Sequence, residues 1–425
     1  MHAPGARLRI LIYGLNYAPE PVGIGKYTGE LGAWLAKRGH EVHVVCSVPY
    51  FPEWRVRGNW YKQERLNGVE VWRCPIWVPK RPNGVTRIVH LGSFAVSSLP
   101  PLMLQWFWRP DVVMCIAPAL LCAPGALCLA HLCGKKTMSW LHIQDFELDV
   151  AFDLGLLKGN WIRRMVESWE RNTIKGFSRA STICEAMRRK LVTKGAEEKN
   201  SVLVKNWVDM ERIFPVTSTN NTVNCFRKRL GIRKDQTVLL YAGSMNKKQG
   251  LELIAEVIRT LKDEEDILWV LAGDGPEKLM LVKKVEHMNN VRVIPLVPDE
   301  ELNELLNMAD IHLLPQKAGA ADLVLPSKLT GMLASGRPVL TTAPLHSELG
   351  SLVIEAGYRV DPGDIKGFAE AVLKLTRNEG LRKMKGEQAR RIAAEQYEKE
   401  KVLRSLEEEI KDAVDQRREG VGPGK

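Results

Sequence analysis

Short apolar runs alternate with amphipathic or polar stretches along almost the whole chain. Leu8–Tyr13, Val42–Ser47, Val69–Cys74, Asp111–Ala117, Thr137–His142, Ala180–Cys184 and Val202–Lys205 form a first series. This is the pattern of strands joined by helices and loops. The Ser-, Thr- and Asn-rich stretch FPVTSTNNTVNC, Phe214–Cys225, interrupts it and reads as a linker or exposed loop. A second series follows, with TVLLYAGS, DILWVLAGDGP, VRVIPLV, DIHLLPQ, RPVLTTA and SLVIEAG as the expected strands. The pattern predicts two doubly wound α/β domains in tandem. The charged, 3.6-periodic stretch from Leu381 to about Arg418 predicts a pair of surface helices.

A length of 425 residues exceeds one compact core, and 45% hydrophobic residues with a mean hydropathy of -0.17 are ordinary for a globular chain. The net charge of +11 changes the picture more, because it is uneven. Residues 1–200 hold 27 Lys and Arg against 16 Asp and Glu, whereas the remainder holds 34 of each. Such a field suits an anionic membrane surface, a phosphorylated lipid or a nucleic acid, or serves only solubility. Eight cysteines, without a Cys-x-x-Cys pair and mostly inside apolar runs, read as small core residues of a reducing compartment. No export signal is visible at the N-terminus. Ile88–Trp108 carries no formal charge, but Pro100 and Pro101 break it. Burial in a domain core, or a helix lying in a membrane interface beside Arg81 and Arg87, is expected in place of a span. Val112–Gly134 is also uncharged and divides at Pro118 and Pro124 into a strand-like VVMCIAPA and a helix-like PGALCLAHLCG.

The chemistry lies in the loops. NYAPEPVGIGKYTGE places Gly23 and Gly25 between a strand and a helix. Its Gly-x-Gly-x-x-x-Gly spacing, with no acid closing Val44–Ser47, disfavours a dinucleotide fingerprint, and Tyr27 after Lys26 excludes a P-loop. The loop is either an anion contact or a tight turn. YAGSMNKKQGLELI and LAGDGPEKL place Gly243, Gly273 and Gly275 after strands and before helices, so both loops open on one sheet edge. Gly273, Gly275 and Pro276 are expected to leave backbone amides free, with Lys247 or Lys248 adding a cation for a diphosphate. LPSKLTGMLASGRPVLTT adds Pro326 in a first helical turn, Ser327 as a cap and Lys328 at once after it. His142 ends an apolar strand, where a core histidine with one satisfied hydrogen bond is the plain reading. Asp145, Glu147 and Asp149 alternate, as metal ligands or as acids near a helix start.

The order of VGIGKYTGELGAWLAKRGHEV, LHIQDFE, VKNWVD, YAGSMNKKQG, LAGDGP and PSKLTGMLASGRPVL resembles family 4 glycosyltransferases of the GT-B fold, from Leu8 to about Arg418. NYAPEPVGIGKYTGE, RCPIWVPKRP, HLGSFAVSS and HIQDFELD are similar to the colanic acid biosynthesis glycosyltransferases of that family. The resemblance implies two Rossmann-like domains facing a central cleft. Residues 1–206 would bind the acceptor, 207–390 the nucleotide-sugar, and 391–425 would pack a helix back on the first domain and end in a disordered tail. It implies retaining transfer, with no metal or other cofactor, from a nucleotide-sugar such as GDP-fucose to a lipid-linked oligosaccharide. The expected place is the cytoplasmic face of the cell membrane, with an anionic membrane surface as partner and no nucleic acid. His142, Lys248 and Lys328 would be catalytic. Gly23, Gly25, Gly243, Ser244, Gly273, Gly275 and Ser327 would line the donor site, and Asp145, Glu147 and Asn206 are candidate sugar or acceptor contacts.

Two departures stand against the family pattern. Its two glutamates eight residues apart, ahead of Gly-x-Pro-Val, align with Leu323 and Gly331, and Asp322 is only adjacent. Ser244 and Met245 occupy the place of an arginine common after the YAG strand. These losses weaken the expected ribose contact. Two alternative readings stand beside the transferase, a nucleotide-sugar epimerase on the same fold, which needs no acceptor, and a catalytically silent GT-B subunit, which the missing glutamates favour.

Overall fold

In the computed structural model, which describes residues 7–20, 23–50, 54–56, 58–80, 84–146, 160–216, 225–317 and 325–420, most apolar runs become strands, and the central ones have no exposed face. Val112–Ala117, Met138–Ile143 and Ile267–Ala272 each bury six residues in a row. An alternating pattern would suit a half-solvated sheet, whereas continuous burial suits a parallel sheet covered by helices on both sides. The chain divides into two units, one made of Met1–Val204 with Leu403–Lys425 and the other of Lys205–Val402.

The sheet of the first unit contains β1 (Arg9–Gly14), β2 (Glu41–Ser47), β3 (Lys62–Leu66), β4 (Val69–Cys74), β5 (Val112–Ala117), β6 (Met138–Ile143), β7 (Arg179–Thr182) and β8 (Ser201–Leu203). Their order is β3-β4-β2-β1-β5-β6-β7-β8. Only β3 runs antiparallel, against β4. The apolar pattern misses β3 because KQERL is an exposed edge strand, held by backbone pairing and not by burial. Apart from β3 and β8, the winding is that of a Rossmann sheet, which reverses direction between β1 and β5.

The second unit repeats this winding without insertions. Its strands are β9 (Thr237–Ala242), β10 (Ile267–Ala272), β11 (Val291–Ile294), β12 (Ile311–Leu314), β13 (Val339–Thr342) and β14 (Gly357–Val360), in the order β11-β10-β9-β12-β13-β14. One expected strand is corrected, because SLVIEAG belongs to the helix Glu348–Ala356 and the strand that follows is GYRV. Ser347 caps that helix by accepting a hydrogen bond from the Gly350 amide, and Leu349, Val353 and Ala356 form its buried stripe.

Helices Gly84–Ser97 and Leu99–Trp108 account for the long uncharged stretch. Together Val85–Trp108 are long and apolar enough, by length and composition, to cross a membrane. One stripe is packed into the first unit, with His90, Leu91, Phe94, Ser98, Leu102 and Gln105 buried. Ser98 Oγ lies 2.6 Å from the Tyr13 hydroxyl, and Gln105 Oε1 lies 2.8 Å from His43 Nδ1. The opposite stripe is apolar and exposed, with Val85, Val89, Val96, Leu104 and Phe107 facing outward. No disulfide joins the eight cysteines; Cys128 and Cys225 are exposed, contrary to the expectation of core residues, whereas five others are buried.

The helix Lys399–Glu419 joins the first unit from Leu403 onward through a buried carboxylate. The Leu8 amide donates to His40 Nδ1 at 3.1 Å, so His40 Nε2 carries the proton and donates to Glu407 Oε1 at 3.0 Å. Arg38 and Lys411 donate to the same carboxylate at 3.1 and 2.6 Å. Burial raises the affinity of Glu407 for a proton, but the hydrogen bonds from Lys411 and His40 outweigh it, and its pKa is lowered. Glu407→Ala should cost about 3 kcal/mol at pH 7, since it strands the groups that face the carboxylate. A lowered carboxylate stabilises the fold above the unfolded pKa of about 4.3 and loses that effect as pH falls through the folded value. Urea unfolding at pH 7 and pH 3.5 checks this, with the gap between variant and parent closing at the lower pH.

Candidate functional site

The candidate site of the second unit is built where β9 and β10 end side by side. Ala242 and Ala272 are paired in register, so Gly243 and Gly273 leave the sheet together. A Cβ on Gly273 would stand 2.0 Å from the Gly243 carbonyl oxygen, and one on Gly275 would stand 2.3 Å from that of Met245. Only glycine permits this approach. The loops are then tied by the Met245 amide donating to Asp274 O at 2.7 Å and the Glu277 amide donating to Met245 O at 3.0 Å.

This packing corrects the expectation of free amides at Gly273 and Gly275. Gly273 N–H donates to Ile294 O at 3.1 Å, and Gly275 N–H donates to the Asp274 side chain at 2.8 Å. Gly243 N–H is likewise taken by Ala272 O at 2.9 Å. The glycines bring two loops into contact, and their amides are not spare donors. Ser327 is also corrected, because it makes no capping hydrogen bond. Its backbone is already helical, with φ -58° and ψ -27°, whereas a capping side chain needs an extended backbone to reach back to the first amides.

Lys328 opens the helix Lys328–Ala334 and points at the first of these loops. Its Nζ donates to Gln249 Oε1 at 2.6 Å and to the Tyr241 hydroxyl at 3.2 Å, and lies 4.3 Å from the Tyr241 ring centroid. A Cβ on Gly243 would be 3.3 Å from Lys328 Cδ. Tyr241 is itself oriented by donating to Ser244 O. No carboxylate pairs with Lys328 among the described residues, and burial pulls its pKa down to about 7. Sequence reasoning missed Gln249 and Tyr241. Neither stands out by residue type, and only the pairing of β9 with β12 brings them to the lysine. Lys248 and Ser244 are exposed, with Asn246 Nδ2 donating to Ser244 Oγ at 3.2 Å.

The remaining expected residues belong mainly to the first unit. His142 sits at the carboxyl end of β6, only 7% exposed, with Ser181 of β7 directly opposite. Its Nδ1 lies 2.9 Å from Ser181 Oγ, and Trp140 Nε1 donates to the same hydroxyl at 2.7 Å. Burial lowers the His142 pKa to about 4, so the ring is neutral at neutral pH. Gly23 begins the helix Gly23–Lys37 with a φ of +63°. A Cβ on Gly25 would meet Glu20 Cβ at 2.7 Å, so this glycine allows the helix to pack against the loop after β1. Asp145 is half-buried just past β6, and Asn206 is buried near the start of the second unit. Glu147, Asp149, Asp322 and Leu323 lie outside the described residues. A Cβ on Gly331 would find only Leu306 within contact, at 3.5 Å. Among the described residues, no group of three or more His, Cys, Asp or Glu could hold a metal ion. The structure thus brings Gly243, Ser244, Gly273, Gly275, Ser327 and Lys328 together in one unit, and holds Gly23, Gly25, His142 and Asp145 in the other.

Residues 22–207 match the glycosyl transferase 4-like domain, and residues 224–392 match glycosyl transferases group 1. The chain is 39% identical over 416 residues to the Escherichia coli protein WcaI, whose name assigns it to colanic acid biosynthesis as a glycosyl transferase. That match covers 95% of this chain and 100% of the relative. The N-acetyl-alpha-D-glucosaminyl L-malate synthase of Bacillus anthracis is 26% identical, with 93% and 95% covered. Among solved structures, sucrose-phosphate synthase from Thermosynechococcus elongatus superposes with a TM-score of 0.72 at 13% identity, over 96% of this chain and 100% of the other. WaaG, a glycosyltransferase of lipopolysaccharide biosynthesis, gives 0.66 at 18% identity, over 95% and 99%. Two doubly wound units of this kind define the GT-B class. The chain belongs to family 4 of the GT-B glycosyltransferases.

A partly buried lysine without a carboxylate partner among the described residues, as Lys328 is, should reduce stability. Lys328→Met is expected to raise the stability of the free protein by about 1 kcal/mol at pH 7, a figure reduced for solvent screening. The folded pKa of about 7 lies below the ordinary lysine value of about 10.5, so the unfolded chain holds the extra proton between them. Stability of the parent therefore rises with pH across that window, and the advantage of the variant should fade by about pH 10.5. Thermal unfolding at pH 7 and pH 10 measures both effects.

Proposed function

We propose that this glycosyltransferase takes its sugar from a nucleotide-sugar held by the second unit, and that Lys328 and Lys248 stabilise the diphosphate as it leaves. The carrying observation is Lys328, a cation without a carboxylate partner among the described residues, held at the switch point where β9 reverses the winding toward β12. Ligands of open α/β sheets bind outside the carboxyl ends of strands at such points. Preorganised positive charge acts most strongly on charge that develops in the transition state. The reading extends to retention of anomeric configuration without a bound metal, with His142 contacting the donor sugar. A lipid-linked oligosaccharide is the proposed acceptor, in exopolysaccharide assembly of the colanic acid type, with GDP-fucose as the first donor to test. The name of WcaI and the family resemblance support this choice.

Lys248→Ala and Lys328→Ala should each lower turnover by about two to three powers of ten with the true donor. A thermal-shift panel of GDP-, UDP- and dTDP-sugars identifies that donor, because a ligand bound only by the folded state raises its stability. Wild-type rates in both variants would move the diphosphate site elsewhere. Gly331, in the position of a family glutamate, keeps a silent subunit as the second reading. Tight nucleotide binding with no turnover on any acceptor would select it.

We further propose a peripheral position on the cytoplasmic membrane face. Support comes from the exposed Val85, Val89, Val96, Leu104 and Phe107 of the apolar helices, and from the excess of basic residues in residues 1–200. Each basic group near an anionic surface contributes about 1 kcal/mol at low salt. The full chain should sediment with phosphatidylglycerol-containing vesicles and be largely released at high salt. Val89→Asp with Phe107→Asp should weaken that binding about tenfold or more by removing interfacial burial.

A further inference from the structure

We infer that Ser181 and Trp140 are positioning residues that lock His142 in one tautomer, with Nδ1 accepting and Nε2 carrying the proton. The inference rests on the proposed role of His142 at the donor sugar, and its starting point is hydrogen-bond order. An indole N–H can only donate, so the 2.7 Å contact from Trp140 Nε1 makes Ser181 Oγ its acceptor. Ser181 is fully buried, and its hydroxyl has two partners among the described residues, Trp140 Nε1 and His142 Nδ1. If Nδ1 carried the proton, the serine oxygen would accept from both rings and its own proton would be left unpaired in the interior, which is costly. The arrangement that satisfies every group is a one-way chain, Trp140 Nε1–H to Ser181 Oγ, then Ser181 Oγ–H to His142 Nδ1. The second nitrogen of the histidine must then be protonated, since the ring is neutral.

Parallel pairing builds this chain without any loop. Trp140 and His142 are two residues apart on β6 and share a face, and the register that sets Ser181 opposite His142 puts its hydroxyl within reach of both. Nε2 has no hydrogen-bond partner among the described residues, yet it is not one of the sealed, unpartnered side-chain atoms. The consequence is a histidine that offers a hydrogen-bond donor at the carboxyl end of β6. Such a group recognises a hydroxyl or an anionic oxygen and rejects another donor.

Long-range proton–nitrogen correlation spectra of the full-length protein labelled with 15N-histidine test the order directly, with His142→Gln identifying the signal. The expected spectrum has an unprotonated, pyridine-type Nδ1 and a protonated Nε2, unchanged from pH 6 to pH 8. A protonated Nδ1 overturns the inference. Ser181→Ala should lower kcat about tenfold or more while changing donor KM less than about threefold, and Ser181→Thr, which keeps the hydroxyl, should recover most of the rate. Trp140→Phe frees the serine to turn, and a mixture of the two tautomers is expected. An Ala variant that keeps the wild-type kcat, or a Thr variant as slow as Ala, also overturns the positioning role. Wild-type transfer by His142→Gln would overturn the reading of His142 as a donor contact, and is distinguished from failure of the tautomer assignment because the spectra do not depend on activity.

Discussion

Parallel pairing of β9 with β10 on one side and β12 on the other is the constraint on which the candidate site depends. It ends the strands at one level, so the chain leaves the sheet at Gly243 and Gly273 with two backbones in contact. That crowding dictates glycine at 273 and 275, ties the two loops through Met245, and holds Gln249 where it meets Lys328. The same winding in the first unit places the loop that follows β1 and His142 of β6 at carboxyl ends of one sheet. Chemistry is therefore arranged by strand order before any side chain contributes.

The side chains at these ends oppose the stability of the fold. Lys328 is paired with neutral oxygens and an aromatic face in place of a carboxylate. His142 is buried deeply enough to stay neutral, with its pKa near 4. By contrast, the charged network around Glu407 is satisfied from several sides, and it joins a helix to the sheet. The difference is physical. The structural carboxylate is surrounded by donors that carry charge, whereas Lys328 has no counter-ion among the described residues.

The apolar helices Gly84–Ser97 and Leu99–Trp108 show how one stretch meets two demands. Their inward stripe uses Phe94, Ser98 and Gln105 to fill and hydrogen-bond the first unit, and their outward stripe stays apolar. A contiguous exposed apolar surface of this kind is unusual unless something covers it.

How far the sequence reached can be judged from single residues. Apolar runs announced twelve of the fourteen strands, all but β3 and β14, and the alternation of strand and helix announced two doubly wound units, because burial on both faces leaves no other use for such runs. The sequence missed β3, whose polar residues pair by backbone alone, and took SLVIEAG for a strand, because a short apolar run has no period that separates it from a buried helix. It marked Gly273, Gly275 and Ser327 as interesting, but misjudged what their amides and hydroxyl do. By itself, then, the sequence determined the fold class, the family and where glycine loops follow strands, since periodicity and glycine spacing are local properties. Only the tertiary structure decided which groups meet, including Gln249 with Lys328 and Ser181 with both Trp140 and His142, because those contacts are set by strand register between residues far apart in the chain.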